Sequence, residues 1–178
     1  MIDMYPGKLR AVLIALLALA LAGCLSSRRP LFGDATAVAL LGDGGRYQTY
    51  EATDSGGFKR EERMSARRAG KSYEISNDRG DKFTVSFHPL PEGRFVAQSF
   101  ENDEYSYGIV RMTDGVVFFY NADCDRQDKA KMTAFGVVVR DGGCKLDDVK
   151  DPQALFAAVD PGKLTSKVEP IGGRRQRR

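Results

Sequence analysis

The chain of 178 residues has no tryptophan, one histidine and three cysteines. A single histidine rules out the His-rich ligand sets of most catalytic zinc and iron centres. Three cysteines are too few for a disulfide-dense scaffold. No uninterrupted apolar run reaches the roughly 20 residues that cross a bilayer as a helix; Ala11 to Ala22 is twelve long. The three cysteines have no C-x-x-C spacing, which excludes a thioredoxin-like redox pair and the usual zinc knuckles. Neither a phosphate-binding loop nor a dinucleotide fingerprint is present, and Gly42-Asp43-Gly44-Gly45 reads as a turn. With 42% hydrophobic and 29% charged residues, the chain has enough apolar material for one folded domain.

The strongest local signal lies at the N-terminus. Lys8 and Arg10 precede the apolar run, which ends in Leu21-Ala22-Gly23-Cys24. A short positive region, an apolar stretch of this length and small residues before a cleavage point describe a secretory signal. The four residues resemble the lipobox of bacterial lipoproteins. The resemblance implies cleavage before Cys24, so that residues 1–23 are a signal peptide and Cys24 opens the mature chain. It also implies diacylglycerol on the Cys24 sulfur and an N-acyl chain, with no other cofactor. Two or more acyl chains make anchoring stable, whereas one binds marginally. Leu25, where an Asp would favour inner-membrane retention, implies an outer membrane location facing the periplasm.

Charge does not point to nucleic acid. Without residues 1–23 the chain has 25 basic and 23 acidic residues, and four of the basic ones are Arg174, Arg175, Arg177 and Arg178. The body is therefore near neutral, and the sequence pI of 8.8 is an effect of the tail. The partners expected are a membrane through the lipid anchor and either an envelope protein or a small apolar ligand.

Residues 24–35 read as the lipidated cysteine and a tether, 36–162 as a single β domain, and 163–178 as a disordered basic tail. Candidate strands fall at 46–53, 58–66, 71–77, 82–88, 94–100, 105–112, 115–121 and 134–140. Phe83, Val85 and Phe87 alternate with polar residues, as do Tyr105, Tyr107 and Ile109. Turn-forming clusters such as Asn77-Asp78-Arg79-Gly80 and Asp114-Gly115 separate them. The loops are too short for parallel crossovers, which predicts a mainly β, antiparallel meander of 7–8 strands. Regular spacing favours an up-and-down barrel or half-barrel over a sandwich. Strand 58–66, rich in charge, suits an exposed edge. Residues 36–42 fit either an extra strand or a helical turn. A short C-terminal helix is expected over 151–159, with Asp151 as N-cap and Pro152 at the first helical position.

No catalytic set and no metal site are read from the sequence. Ser86 and His88 share a strand face, but no nucleophile elbow accompanies them, and His88 at a strand end before Pro89 is expected to be exposed. Asp123, Asp125 and Asp128 fail the EF-hand template, which needs Gly and Glu where Asp128 and Ala134 stand. Cys124 and Cys144 remain after lipidation and predict a structural disulfide in an oxidising compartment. Aromatics lie on nearly every strand; Phe83, Phe87, Tyr105 and Tyr107 are the residues that would line an apolar cavity if the barrel interior were open. The Gly-x-Trp motif of lipocalins is excluded by the absence of tryptophan. The function expected is therefore that of a non-enzymatic, lipid-anchored binding or scaffolding module, with a carrier of a small apolar ligand as the alternative.

Overall fold

The computed structural model describes residues 25–140 and 143–172. The expected signal peptide, Cys24 and the terminal arginines lie outside the described residues. Among the described residues eleven strands form: β1 Leu25–Ser27, β2 Gly44–Ala52, β3 Phe58–Ala69, β4 Ser72–Asn77, β5 Lys82–Pro89, β6 Arg94–Glu101, β7 Glu104–Thr113, β8 Val116–Asn121, β9 Val138–Arg140, β10 Gly143–Lys145 and β11 Lys163–Pro170. Two short helices, α1 Lys129–Ala134 and α2 Pro152–Ala158, interrupt the second half.

Strands β2 to β8 run as an antiparallel meander, β11 inserts between β8 and β2, and β6 pairs with β7, closing an eight-stranded barrel. Turn chemistry fixes the register of two hairpins. Asn102 and Asp103 take φ of 51° and 62° between the paired Glu101 and Glu104, and Asp114 and Gly115 take 52° and 80° between Thr113 and Val116. Two consecutive residues at positive φ make the tight turn whose twist matches that of the flanking strands. An eight-stranded barrel is just wide enough for side chains to fill. Tyr47, Ala66, Tyr73, Ile75, Val85, Phe87, Ala97, Val110, Val117 and Val168 occupy the interior.

A second core lies outside the barrel wall. Val96, Tyr107 and Ile109 point outward from β6 and β7 and are covered by Leu25, Phe32, Leu155 and Phe156. Helix α2 forms as the sequence predicts: Asp151 accepts a hydrogen bond from the Ala154 N–H at 2.9 Å, and Pro152 sits at its start. Its buried residues, Leu155 and Phe156, press on this outer face. The Cys124–Cys144 disulfide forms with both residues buried, tying the stretch after β8 to β10. Strand β10 pairs in parallel with β1, which in turn pairs with Tyr105 and Ser106 of β7.

Several expectations are corrected. Residues 25–35 are not a tether: Leu25 is 0% exposed within β1, and Phe32 is buried. This segment lacks an alternating pattern because it is held by polar contacts to distant strands. Residues 163–170 are not disordered but form β11, which lies between β8 and β2 in the closed barrel; its inward side offers only small Ser166 and Val168 as a signal. The strand expected over 134–140 is confined to β9, because Asp128 caps helix α1 and Gly136 turns at φ 85°. Strand β3 is an edge only in its first half. Met64 to Arg67 pair on both sides, whereas the stretch from Phe58 to Arg63 pairs with β2 alone, and the charges Lys59 to Arg63 sit on that half. Residues 36–42 form neither alternative in full. Val38 bridges to Phe87, and the Tyr73 hydroxyl accepts from the Leu41 N–H and donates to Gly42 O at 2.8 Å, so the segment plugs the barrel mouth.

Candidate functional site

Two cavities bear on function. The barrel interior keeps a void of about 50 Å³ lined by Leu41, Tyr47, Phe83, Phe87 and other residues, nearly all of them apolar. Small-molecule sites begin at about 300 Å³. The interior is therefore a packed core with a residual void, too small for an acyl chain. Phe83 and Phe87 line it as expected. Tyr105 and Tyr107 do not: they stand on the face of β7 opposite the inward-facing Val110, and Tyr107 belongs to the outer core.

The larger cavity, about 330 Å³, is lateral. One wall is the segment Pro30, Phe32, Gly33 and Asp34; the other is the outer face of the barrel, with Ser72, Thr84, Ser86, Gln98, Phe100 and Tyr105. The cleft exists because residues 28–36 strap across β5, β6 and β7 instead of trailing away from the body. Its rim includes Phe100, 37% exposed, whose ring centroid is 4.7 Å from that of Tyr105.

A buried polar chain holds the strap. Gln98 Oε1 accepts from the N–H groups of Leu31 at 3.1 Å and Phe32 at 3.0 Å, and Gln98 Nε2 donates to Phe32 O at 3.1 Å. Gln98 Nε2 also reaches Ser86 Oγ at 3.4 Å. Ser86 Oγ lies 2.9 Å from His88 Nε2, and Thr36 Oγ1 lies 2.9 Å from His88 Nδ1. Thr36 Oγ1 donates onward to Gly33 O at 3.1 Å. The directions follow from who has a proton to give. Since Thr36 spends its proton on Gly33, it accepts from His88 Nδ1–H; Nε2 then accepts from the Ser86 hydroxyl, and Ser86 accepts from Gln98. Every member is satisfied only while His88 is neutral.

His88 is 1% exposed, not the exposed strand-end residue expected from the sequence, and its ring stacks on Phe32 with centroids 4.8 Å apart. Burial pushes its pKa down to about 4, against a smaller upward pull from Asp34. Tyr107 supplies a second clasp: its hydroxyl lies 2.7 Å from Ser27 Oγ, accepts from Leu31 N–H at 3.1 Å and donates to Arg29 O at 3.2 Å. Burial raises its pKa to about 12.

The Ser86–His88 contact has the spacing of a nucleophile and its base. Three features argue for clamping over chemistry. A base with pKa about 4 has little drive to take a proton at neutral pH. The far nitrogen meets a threonine hydroxyl, not a carboxylate. The Gln98 amide N–H groups are committed to Phe32 O and Ser86 Oγ, so this side chain is not free to face an oxyanion. Among the described residues, no three His, Cys, Asp or Glu side chains gather as a metal site. Asp123 and Asp128 serve as caps, accepting from Asp125 and Lys131 N–H.

No family model, no curated protein and no solved structure matches this chain. Sequence reasoning missed the strap, Gln98 and Thr36. The one available signal was the lone polar run Ser86 and His88 on a strand whose other face is Val85 and Phe87.

Proposed function

We propose that this protein is a lipid-anchored, non-enzymatic binding module of the bacterial cell envelope, tethered through Cys24, with the lateral cleft as its binding site. The observation that carries the reading is the start of β1. Leu25, one residue after the lipobox cysteine, is fully buried and pairs with Cys144 of β10, and the next residue, Ser26, is paired on both sides. Consecutive Cα atoms are about 3.8 Å apart, so acyl chains on Cys24 attach with no spacer. The β1 end of the body then rests against the bilayer surface, and its partner must be within reach of that membrane. Leu25 in place of Asp supports the outer membrane, facing the periplasm.

The carrier alternative draws no support from a barrel interior of about 50 Å³. The cleft of about 330 Å³ falls inside the range of small-molecule sites and is built by the same segment that leads to the anchor.

The test uses the full lipidated chain in vesicles carrying a headgroup quencher, with a fluorophore at Arg28→Cys or at Ser55→Cys. Ser55 lies in the β2–β3 turn, beyond Phe58; Arg67, nine residues along β3 from Phe58, is in the row of cross-strand partners that runs through Glu74, Thr84 and Phe100 to Tyr105 beside β1. That is about 30 Å of strand. Strong quenching at 28 with little at 55 is expected. Equal quenching at both positions would contradict the spacer-free arrangement.

A further inference from the structure

We propose that the ligand of the lateral cleft is a neutral saccharide, one or two rings long; this rests on the reading of the cleft as a binding site. Ser86 and Gln98 are saturated by the strap network. The side chains of Ser72, Thr84, Tyr105 and Asp34 face the same space and have no hydrogen-bond partner among the described residues. Three hydroxyls and a carboxylate offer both donors and acceptors around one volume. A polyol answers that set, because each ligand hydroxyl both donates and accepts.

The apolar half of the site has a matching form. Phe100 and Tyr105 stand side by side at the rim, with Phe100 among the few large apolar residues exposed in the body. The negative face of an aromatic ring attracts the C–H groups on the apolar face of a pyranose. Pro30 and Phe32 close the opposite side.

Charge argues for neutrality. One carboxylate, Asp34, lines the cleft, and no basic side chain does. Three hydroxyls that can each donate as well as accept outnumber the single carboxylate, which suits a ligand that also does both, and an anion would face the Asp34 carboxylate. A cleft of about 330 Å³ lies at the small end of the size range, which admits one or two rings and not an extended chain.

The experiment titrates the full chain in detergent micelles with N,N′-diacetylchitobiose and with maltose, read by saturation-transfer NMR and tyrosine fluorescence. Saturable binding of at least one of them is expected, weakened about fivefold in Phe100→Ala and by a similar factor in Thr84→Ala. Phe58→Ala, which removes an equally exposed ring from β3, should leave it unchanged. Absence of binding by both sugars, or binding unaffected by Phe100→Ala and Thr84→Ala, overturns the saccharide. A photo-cross-linking residue at position 100, in cells, separates the two levels. A discrete protein adduct there without sugar binding would sink the saccharide and leave the binding module standing. Neither sugar binding nor an adduct would sink both.

Discussion

Acidification should loosen this protein through a single side chain. His88 is neutral and buried, with each ring nitrogen committed in one direction along the chain from Gln98 to Gly33. Its pKa of about 4 lies below the ordinary value of 6.5. As pH falls from 6.5 toward 4, the unfolded chain takes up a proton at this residue and the native chain does not. Stability is therefore fully present above about pH 6.5, is lost across that window, and changes no further through His88 below pH 4. Each pKa unit is worth about 1.4 kcal/mol, so the full loss is about 3 kcal/mol, of which about 2.5 has gone by pH 4.5. That is a large share of the roughly 5–15 kcal/mol that keeps a domain folded. The assay is urea unfolding of the Cys24→Ser protein by circular dichroism at pH 7 and pH 4.5, beside the same pair of measurements on Cys24→Ser/His88→Gln. Carboxylates titrate in both proteins, so the difference between the two pH dependences isolates the histidine. With a urea slope of about 2 kcal/mol/M, the midpoint of the protein with His88 should fall by about 1 M more than that of the variant. Equal falls in the two proteins would refute the neutral, directionally bonded His88.

Other predictions follow from equally specific contacts. Gly162 has φ of 69°, and a Cβ there would lie 2.2 Å from Asn121 O, whereas Gly172 has φ of 75° with open space around it. Gly162→Ala should cost about 2 kcal/mol or more in chemical denaturation, Gly172→Ala about 1; equal costs would remove the steric part of the argument. Replacing Cys124 and Cys144 together by Ser should cost about 3 kcal/mol, seen as a drop in Tm of about 6–12 °C, and unreduced Cys24→Ser protein should give no free-thiol signal. A fluorophosphonate probe should not label Ser86; labelling abolished by Ser86→Ala would revive a hydrolytic reading of the Ser86–His88 pair.

The meander from β2 to β8 was legible because its information is local. Turn residues such as Asp114-Gly115 set two-residue hairpins, and alternation along Phe83, Val85 and Phe87 marks a buried face. Alternation says which residues share a face but not which side of the wall that face lies on. Tyr105, Tyr107 and Ile109 do share one face, yet Ile109 and Tyr107 are buried under α2 and the strap, outside the barrel. The adjacent Ile109-Val110 pair, buried on both faces of β7, is the trace of that double layer in the sequence.

What escaped depends on distant partners. Leu25 to Thr36 has neither periodicity nor caps, and its position comes from single side chains on β5, β6 and β7: His88, Gln98 and Tyr107. Strand β11 is similar. Lys163 to Pro170 alternates weakly, and its place is set by the gap between β8 and β2 that closure leaves. The run Val137-Val138-Val139 suggested a longer strand, but a capped turn of helix before it and Gly136 confine pairing to Val138–Arg140. The Cys124–Cys144 disulfide was expected from setting Cys24 aside for the lipobox resemblance, and the structure forms that bond.

The measurement closest to the central claim is mass spectrometry of the N-terminal peptide of the mature protein extracted from bacterial membranes. The account predicts a chain beginning at Cys24, carrying diacylglycerol on its sulfur and running directly into Leu25-Ser26-Ser27. A first residue other than Cys24, or an unmodified Cys24, would contradict the anchor and with it the membrane-apposed binding module.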